Sequence, residues 1–128
     1  MNTLPKKERL NSKIKIEKLF KSKNSFVQND FKVYWDVLPS EDTNISVLIS
    51  VPKKNVHLAT NRNKIKRIIR ECYRINKNRL IENKQDLTIA IVYLSSEIPE
   101  FRLLEEKIKL VLQRLKQELW KKYFHFFF

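Results

Sequence analysis

Residues 45–94, ISVLISVPKKNVHLATNRNKIKRIIRECYRINKNRLIENKQDLTIAIVYL, join two dense β-branched runs through a basic stretch. Ile45 to Val51 reads as a well-buried strand, and Pro52, which lacks a backbone N–H to donate to a sheet ladder, closes it. Leu87 to Leu94, LTIAIVYL, reads as a second buried strand. Between them, from Arg62 to about Asn78, apolar residues recur at helical spacing. The order strand, helix, strand predicts a crossover unit in an α/β protein.

Upstream, Phe31, Val33, Trp35 and Val37 alternate with Lys32, Tyr34 and Asp36. That period predicts a strand over Phe26 to Leu38 with one face on the core. A polar turn over residues 39–44 separates it from the run at Ile45, so the two strands are expected as an antiparallel pair. Further turns are expected at Lys23–Asn24–Ser25 and Glu82–Asn83. KIKIEKLF predicts a short helix over about 12–21, with Asn11 or Ser12 able to cap it. Downstream, Pro99 suits a first helical position after a cap at Ser95 or Ser96. Phe101, Leu104, Ile108, Val111, Leu112, Leu115 and Leu119 then predict a long amphipathic helix to about Lys121. The ending YFHFFF can pack inward, contact another molecule or fray.

Length and composition fit one domain over 1–128, with an atypical Phe-rich tail at 121–128. Twenty-seven Lys and Arg against 14 Asp and Glu give a formal net charge of +13, a field felt by any polyanion. Nucleic acid is the leading partner class, with anionic membrane and acidic protein behind it. The chain has no glycine, which excludes a Gly-rich phosphate loop, because that loop needs backbone approaches and positive φ values that a Cβ obstructs. The lone Cys72 excludes an intrachain disulfide and suits a reducing compartment. No apolar run long enough for a membrane span or a secretory signal is found, so a cytoplasmic location is expected.

On a helical wheel, Ile65, Ile68, Ile69, Cys72 and Asn76 share one sector, and Arg62, Asn63, Lys64, Lys66, Arg67, Arg70, Arg74 and Lys77 cover the rest. Glu71 is the only acid between Arg62 and Arg79. Like charges at three- and four-residue spacing each cost a few tenths of a kcal/mol, roughly, in the free helix. A face built only for solubility usually mixes signs, whereas an opposing polyphosphate turns this repulsion into attraction. Nucleic-acid contact is therefore favoured over a merely solvated face. Arginine forks and mobile lysines suit phosphate and shape recognition, with no base code visible.

The run Arg62–Asn63–Lys64–Ile65–Lys66–Arg67–Ile68–Ile69–Arg70–Glu71 resembles the signature helix of the bacterial ribonuclease P protein family, with Lys64 where the family carries a third arginine. SVPKK at 50–54 is similar to the family's strand end with paired basic residues, and Ala59 matches the alanine before the signature. Leu48, and a loop position near His57, stand where the family has glycines. The opening segment, with Arg9, Leu10, Ile16, Phe20 and Lys21, also resembles the family over a match of about residues 4–118.

The resemblance implies an α/β (α+β) two-layer sandwich like the second domain of ribosomal protein S5, with a left-handed βαβ crossover. It implies a protein subunit of ribonuclease P, whose catalytic RNA removes the 5′ leader of precursor tRNA with Mg2+ bound mainly by that RNA and the substrate. The expected partners are the catalytic RNA and precursor tRNA, with no membrane and no obligate protein partner. Arg62, Asn63, Lys64, Lys66, Arg67, Arg70, Arg74, Lys53 and Lys54 are the expected RNA-binding residues. Arg9, Ile16, Phe20, Phe31 and Tyr34 are expected to line a cleft for the leader, and Ile16 replaces an aromatic residue there.

No catalytic or metal-binding residue is expected in the chain itself. His57 and His125 lack a motif such as HExxH, and no tight acidic cluster suggests a two-metal site. Asp30, Asp36, Glu41 and Asp42 read as turn or edge residues, and Cys72 as core. The alternatives are a ribosomal or other structural RNA-binding protein without a cleavage role and, less favoured, a peripheral membrane protein.

Overall fold

The computed structural model describes Arg9 and residues 13–77 and 85–125, apart from the side chains of Pro39 and of residues 122–125. Seven elements follow in order: α1 (Lys13–Phe20), β1 (Ser25–Gln28), β2 (Phe31–Pro39), β3 (Asn44–Ser50), α2 (Ala59–Asn76), β4 (Gln85–Tyr93) and α3 (Phe101–His125). The strands form one sheet in the order β1-β2-β4-β3. The expected caps at Asn11 and Ser12, the turn at Glu82–Asn83 and the last three phenylalanines lie outside the described residues.

The expected pairing of β2 with β3 is corrected, because β4 lies between them, antiparallel to β2 and parallel to β3. Burial explains the insertion. Leu87, Ile89, Ala90, Ile91 and Tyr93 are all buried, so β4 has core contacts on both faces and takes the centre, where both of its edges are paired. The parallel pair β3 and β4 is the expected strand–helix–strand unit, with α2 in the connection.

The single strand expected over Phe26–Leu38 is a hairpin. Gln28 pairs with Phe31, leaving Asn29 and Asp30 as a two-residue turn in which Asn29 has φ of 54°. Asparagine tolerates that left-handed conformation better than other side chains, and the chain has no glycine to offer. The Asp30 carbonyl accepts from Leu94 N at 2.7 Å, and its carboxylate accepts from Lys107 Nζ at 2.6 Å, tying the turn to β4 and α3. The partly exposed ion pair raises the Lys107 pKa, mainly through that hydrogen bond. Asn29→Ala is expected to lower stability by about 1 kcal/mol, and Asn29→Gly to be close to neutral, as measured by urea unfolding.

One face of the sheet carries the core. Phe31, Val33 and Trp35 of β2, Val47 and Ile49 of β3, and Leu87, Ile89, Ile91 and Tyr93 of β4 pack with Ile65, Ile69, Cys72 and Tyr73 of α2 and with Leu104, Ile108, Val111, Leu112 and Leu115 of α3. The last helix starts at Phe101, two residues after Pro99, with Leu104 N donating to the Glu100 carbonyl at 3.0 Å. Ser95 does not cap it, since its hydroxyl accepts from Glu97 N in a local turn. Among the described residues, the opposite sheet face carries only the short α1, through Leu19 and Ile16 on Tyr34, Ala90 and Leu48.

Candidate nucleic-acid interface

Helix α2 is anchored on its apolar side. Ile65, Ile69, Cys72, Tyr73 and Asn76 are buried, Ile68 is half-buried against the same core, and the Asn76 amide donates to the Cys72 carbonyl at 2.8 Å. Tyr73 joins this buried sector although it falls outside the one the helical wheel picks out. Burial pushes the Cys72 thiol up to about 12, so it stays protonated and acts as packing. The helix begins at Ala59, three residues before the expected Arg62, and Leu58 offers no side-chain cap to its first N–H groups. Those donors and the helix dipole make this end favourable to an anion.

The charged side divides into groups with different occupations. Asn63, Lys64 and Arg67 are exposed, while Lys66 and Arg70 are half-buried. Among the described residues Lys64, Lys66 and Arg67 make no ion pair. Burial, and secondarily the nearby charge of Arg9, pulls the Arg70 pKa down. Arg74 is engaged within the helix, giving Nε to Glu71 Oε2 at 3.2 Å and Nη2 to Oε1 at 2.7 Å. That hydrogen bond holds the Glu71 carboxyl below its ordinary range. The one acid on the helix is thereby taken up by Arg74.

Arg62 also differs from its expected outward pose. Its Nη1 donates to the carbonyls of Val56 at 3.0 Å and His57 at 2.6 Å, fastening the loop between β3 and α2 to the helix start. The backbone N–H groups of Asn55 and Val56 donate to the Pro52 carbonyl, and Asn55 Nδ2 reaches the Tyr93 carbonyl. This bracing holds exposed Lys53 and Lys54 beside the end of β4. The sequence shows a cation at 62 but not that its fork serves backbone carbonyls, since that depends on the loop's path.

The expected cleft residues separate. Ile16, Phe20 and Tyr34 meet on the sheet face under α1, with the Phe20 and Tyr34 rings edge to face at a centroid distance of 4.9 Å. Phe20 is exposed and Tyr34 half-buried, so both rings remain in reach of solvent. Phe31 is corrected: it is fully buried on the other face against Tyr93, because odd positions of β2 point to the core and even ones away from it. Arg9 lies at the outer edge of β3, where its backbone bridges Val47. Two members of the open face are absent from the expected set. Lys32 Nζ sits 5.0 Å from the Tyr34 ring centre, and Val27 is exposed on the neighbouring strand. The alternation at 31–37 already places Lys32 beside Tyr34 on that face.

A basic two-layer α/β domain, with a cationic helix held on its core and exposed aromatic rings on an open sheet, belongs to the class of small nucleic-acid-binding proteins. Comparison makes the assignment specific. The model of the family described as Ribonuclease P matches residues 4–116, and the chain belongs to this family. The ribonuclease P protein component of Porphyromonas gingivalis is 36% identical over 118 residues, covering 88% of this chain and 85% of that one. That of Chlorobium phaeobacteroides is 30% identical over 131 residues, covering 91% of this chain and 90% of its own. The RNase P protein from Thermotoga maritima superposes with a TM-score of 0.69 at 28% identity, covering 84% of this chain and 96% of that one. The chain is thus a non-catalytic protein subunit of a ribonucleoprotein endonuclease of tRNA processing.

Proposed function

We propose that this chain binds the catalytic RNA of ribonuclease P through α2 and holds the single-stranded 5′ leader of precursor tRNA on the open sheet face under α1. The observation that carries the reading is the cationic group Lys64, Lys66 and Arg67, without ion pairs among the described residues, on a helix whose opposite side is locked into the core. Facing a polyphosphate, those charges release counterions from the RNA, a gain absent in the free protein. Phe20 and Tyr34 offer stacking surfaces that accept any base, which suits a leader of variable sequence. Lys53 and Lys54 extend the positive edge beside the start of α2.

Hydrolysis belongs to the RNA subunit, and the reading assigns magnesium to that RNA and the substrate. Among the described residues no group of three or more His, Cys, Asp or Glu side chains is placed to hold a metal ion. Among the described residues, too, no helix is long and apolar enough to cross a membrane. The protein's contribution is electrostatic: its net charge of +13 lowers the repulsion between two RNAs that magnesium otherwise screens. Reconstitution with the catalytic RNA and precursor tRNA tests this. Cleavage at low magnesium should depend on the protein, and the dependence should fade as magnesium rises. Equal rates with and without the chain at every magnesium concentration would reject the reading in favour of a structural RNA-binding role.

A further inference from the structure

The open sheet face is chemically two-ended. Sheet register places Lys32 opposite Val92, which lies opposite Ser50, in one row, and the loop after Ser50 carries Lys53 and Lys54 beyond it. The same loop leads to the start of α2, which has no side-chain cap, so Lys32, Lys53, Lys54 and that helix end gather at one end of the strands. Two rows away, Asp36 stands opposite Thr88, and Asp86 lies two residues from Thr88 on β4. All three are half-buried on the non-core face. The adjoining loop between β2 and β3 adds exposed Glu41 and Asp42. Between the two ends runs α1, seated on Tyr34, Ala90 and Leu48.

The separation is large enough to matter. Lys32 and Asp36 are four residues apart on an extended strand, about 13 Å, and the screening length at physiological salt is about 8 Å. A phosphate near Lys32 therefore feels the lysine much more than the aspartates. Asp36 and Asp86 are diagonal neighbours on adjacent strands, about 7–8 Å apart or less, so a phosphate approaching that end meets both. Neither carboxylate is needed for the core.

We infer that Asp36 and Asp86 act as an electrostatic stop, confining a bound single strand to the Lys32 half of the open face and so setting the length of nucleic acid held there. The stop rests on the open face being a nucleic-acid site. It differs from that reading in naming residues that repel the ligand and fix where the footprint ends.

Binding of fluorescent oligocytidines, from about four to about sixteen nucleotides long, to the full chain at fixed salt tests the inference without the catalytic RNA. With the unsubstituted protein, affinity should rise with length and then level off early. In Asp36→Asn/Asp86→Asn the levelling point should move to longer oligonucleotides, with severalfold tighter binding of the longest and a steeper salt dependence. The Asp36→Asn change keeps an oxygen acceptor for the Val37 N–H that Asp36 Oδ1 now serves, so the local fold has no reason to change, and thermal melting verifies it. Glu41→Gln/Asp42→Asn, in an exposed loop, should shift the longest oligonucleotides in the same direction should the first pair fail to fold. Lys32→Ala should weaken every length. An unchanged levelling point in the carboxylate variants overturns the stop while leaving the site standing. Absence of oligonucleotide binding by the unsubstituted chain removes the open-face reading and the stop together, and reconstituted cleavage reports separately on α2.

Discussion

Replacing Lys64, Lys66 and Arg67 together with Ala is expected to weaken binding of the catalytic RNA by about a hundredfold at physiological salt. Each phosphate contact on a duplex contributes roughly 0.9 to the slope of log K against log salt, so three contacts contribute about 2.7, or about 10²-fold near 0.15 M. The slope itself should fall by the same amount, a signature that lost packing does not produce. Arg62 and Arg70 are left unaltered on purpose: Arg62 fastens the loop after β3, and Arg70 is half-buried near Arg9. Their removal would mix loop and packing effects with lost charge. The chosen residues make no ion pair among the described residues, so thermal melting should move little, or slightly upward as like-charge repulsion is relieved. RNA titrations at several salt concentrations, with melting in parallel, check both parts. An unchanged salt slope would take this helix face out of the interface.

The segments whose periodicity is local are legible in the sequence itself. The isoleucine sector of α2, the alternation of Phe31, Val33 and Trp35 against Tyr34, and the buried character of β4 all appear as patterns within a few residues, and burial follows them. Pairing is less legible, since a strand's neighbour depends on the whole sheet. β2 and β3 are consecutive strands, yet the more fully apolar β4 takes the place between them. The hairpin at Asn29 is hidden because the turn lacks the glycine that usually marks it; the available signal is that an unbroken strand would put Phe26 and Phe31 on opposite faces, whereas both are buried. In the site, charge is visible and occupation is not. Arg62 and Arg74 look alike in sequence to Arg67, but a loop carbonyl pair holds the first and Glu71 the second. The glutamate's spacing of three from Arg74 is the available signal for that pair.

The two aromatic residues of β2 make the sharpest separation between fold and function. Phe31→Ala is expected to cost about 3–5 kcal/mol, the range for emptying an aromatic site in a packed core. Phe31 is fully buried, touches Tyr93 at a ring-centroid distance of 5.5 Å, and follows immediately on the turn that Lys107 ties to α3. Against a total stability of about 5–15 kcal/mol this is a large share, and a melting temperature lower by roughly 10–20 °C is expected for a domain of this size. Tyr34→Ala, on the opposite sheet face, should cost far less stability because the ring is half-buried and packs beside the short α1. It should instead weaken leader-containing precursor tRNA by roughly five- to 150-fold, the range for one lost base stack of about 1–3 kcal/mol, while leaderless tRNA is little affected. Melting curves and paired titrations with the two tRNAs distinguish the roles. Equal losses for both ligands in Tyr34→Ala would remove that ring from the leader path, and a leader-selective loss in a still-folded Phe31→Ala would restore Phe31 to it. The contrast follows from the two-residue period of an extended chain: three residues along β2 reverse the face, so Phe31 is held by the packing of the core while Tyr34 stays within reach of solvent.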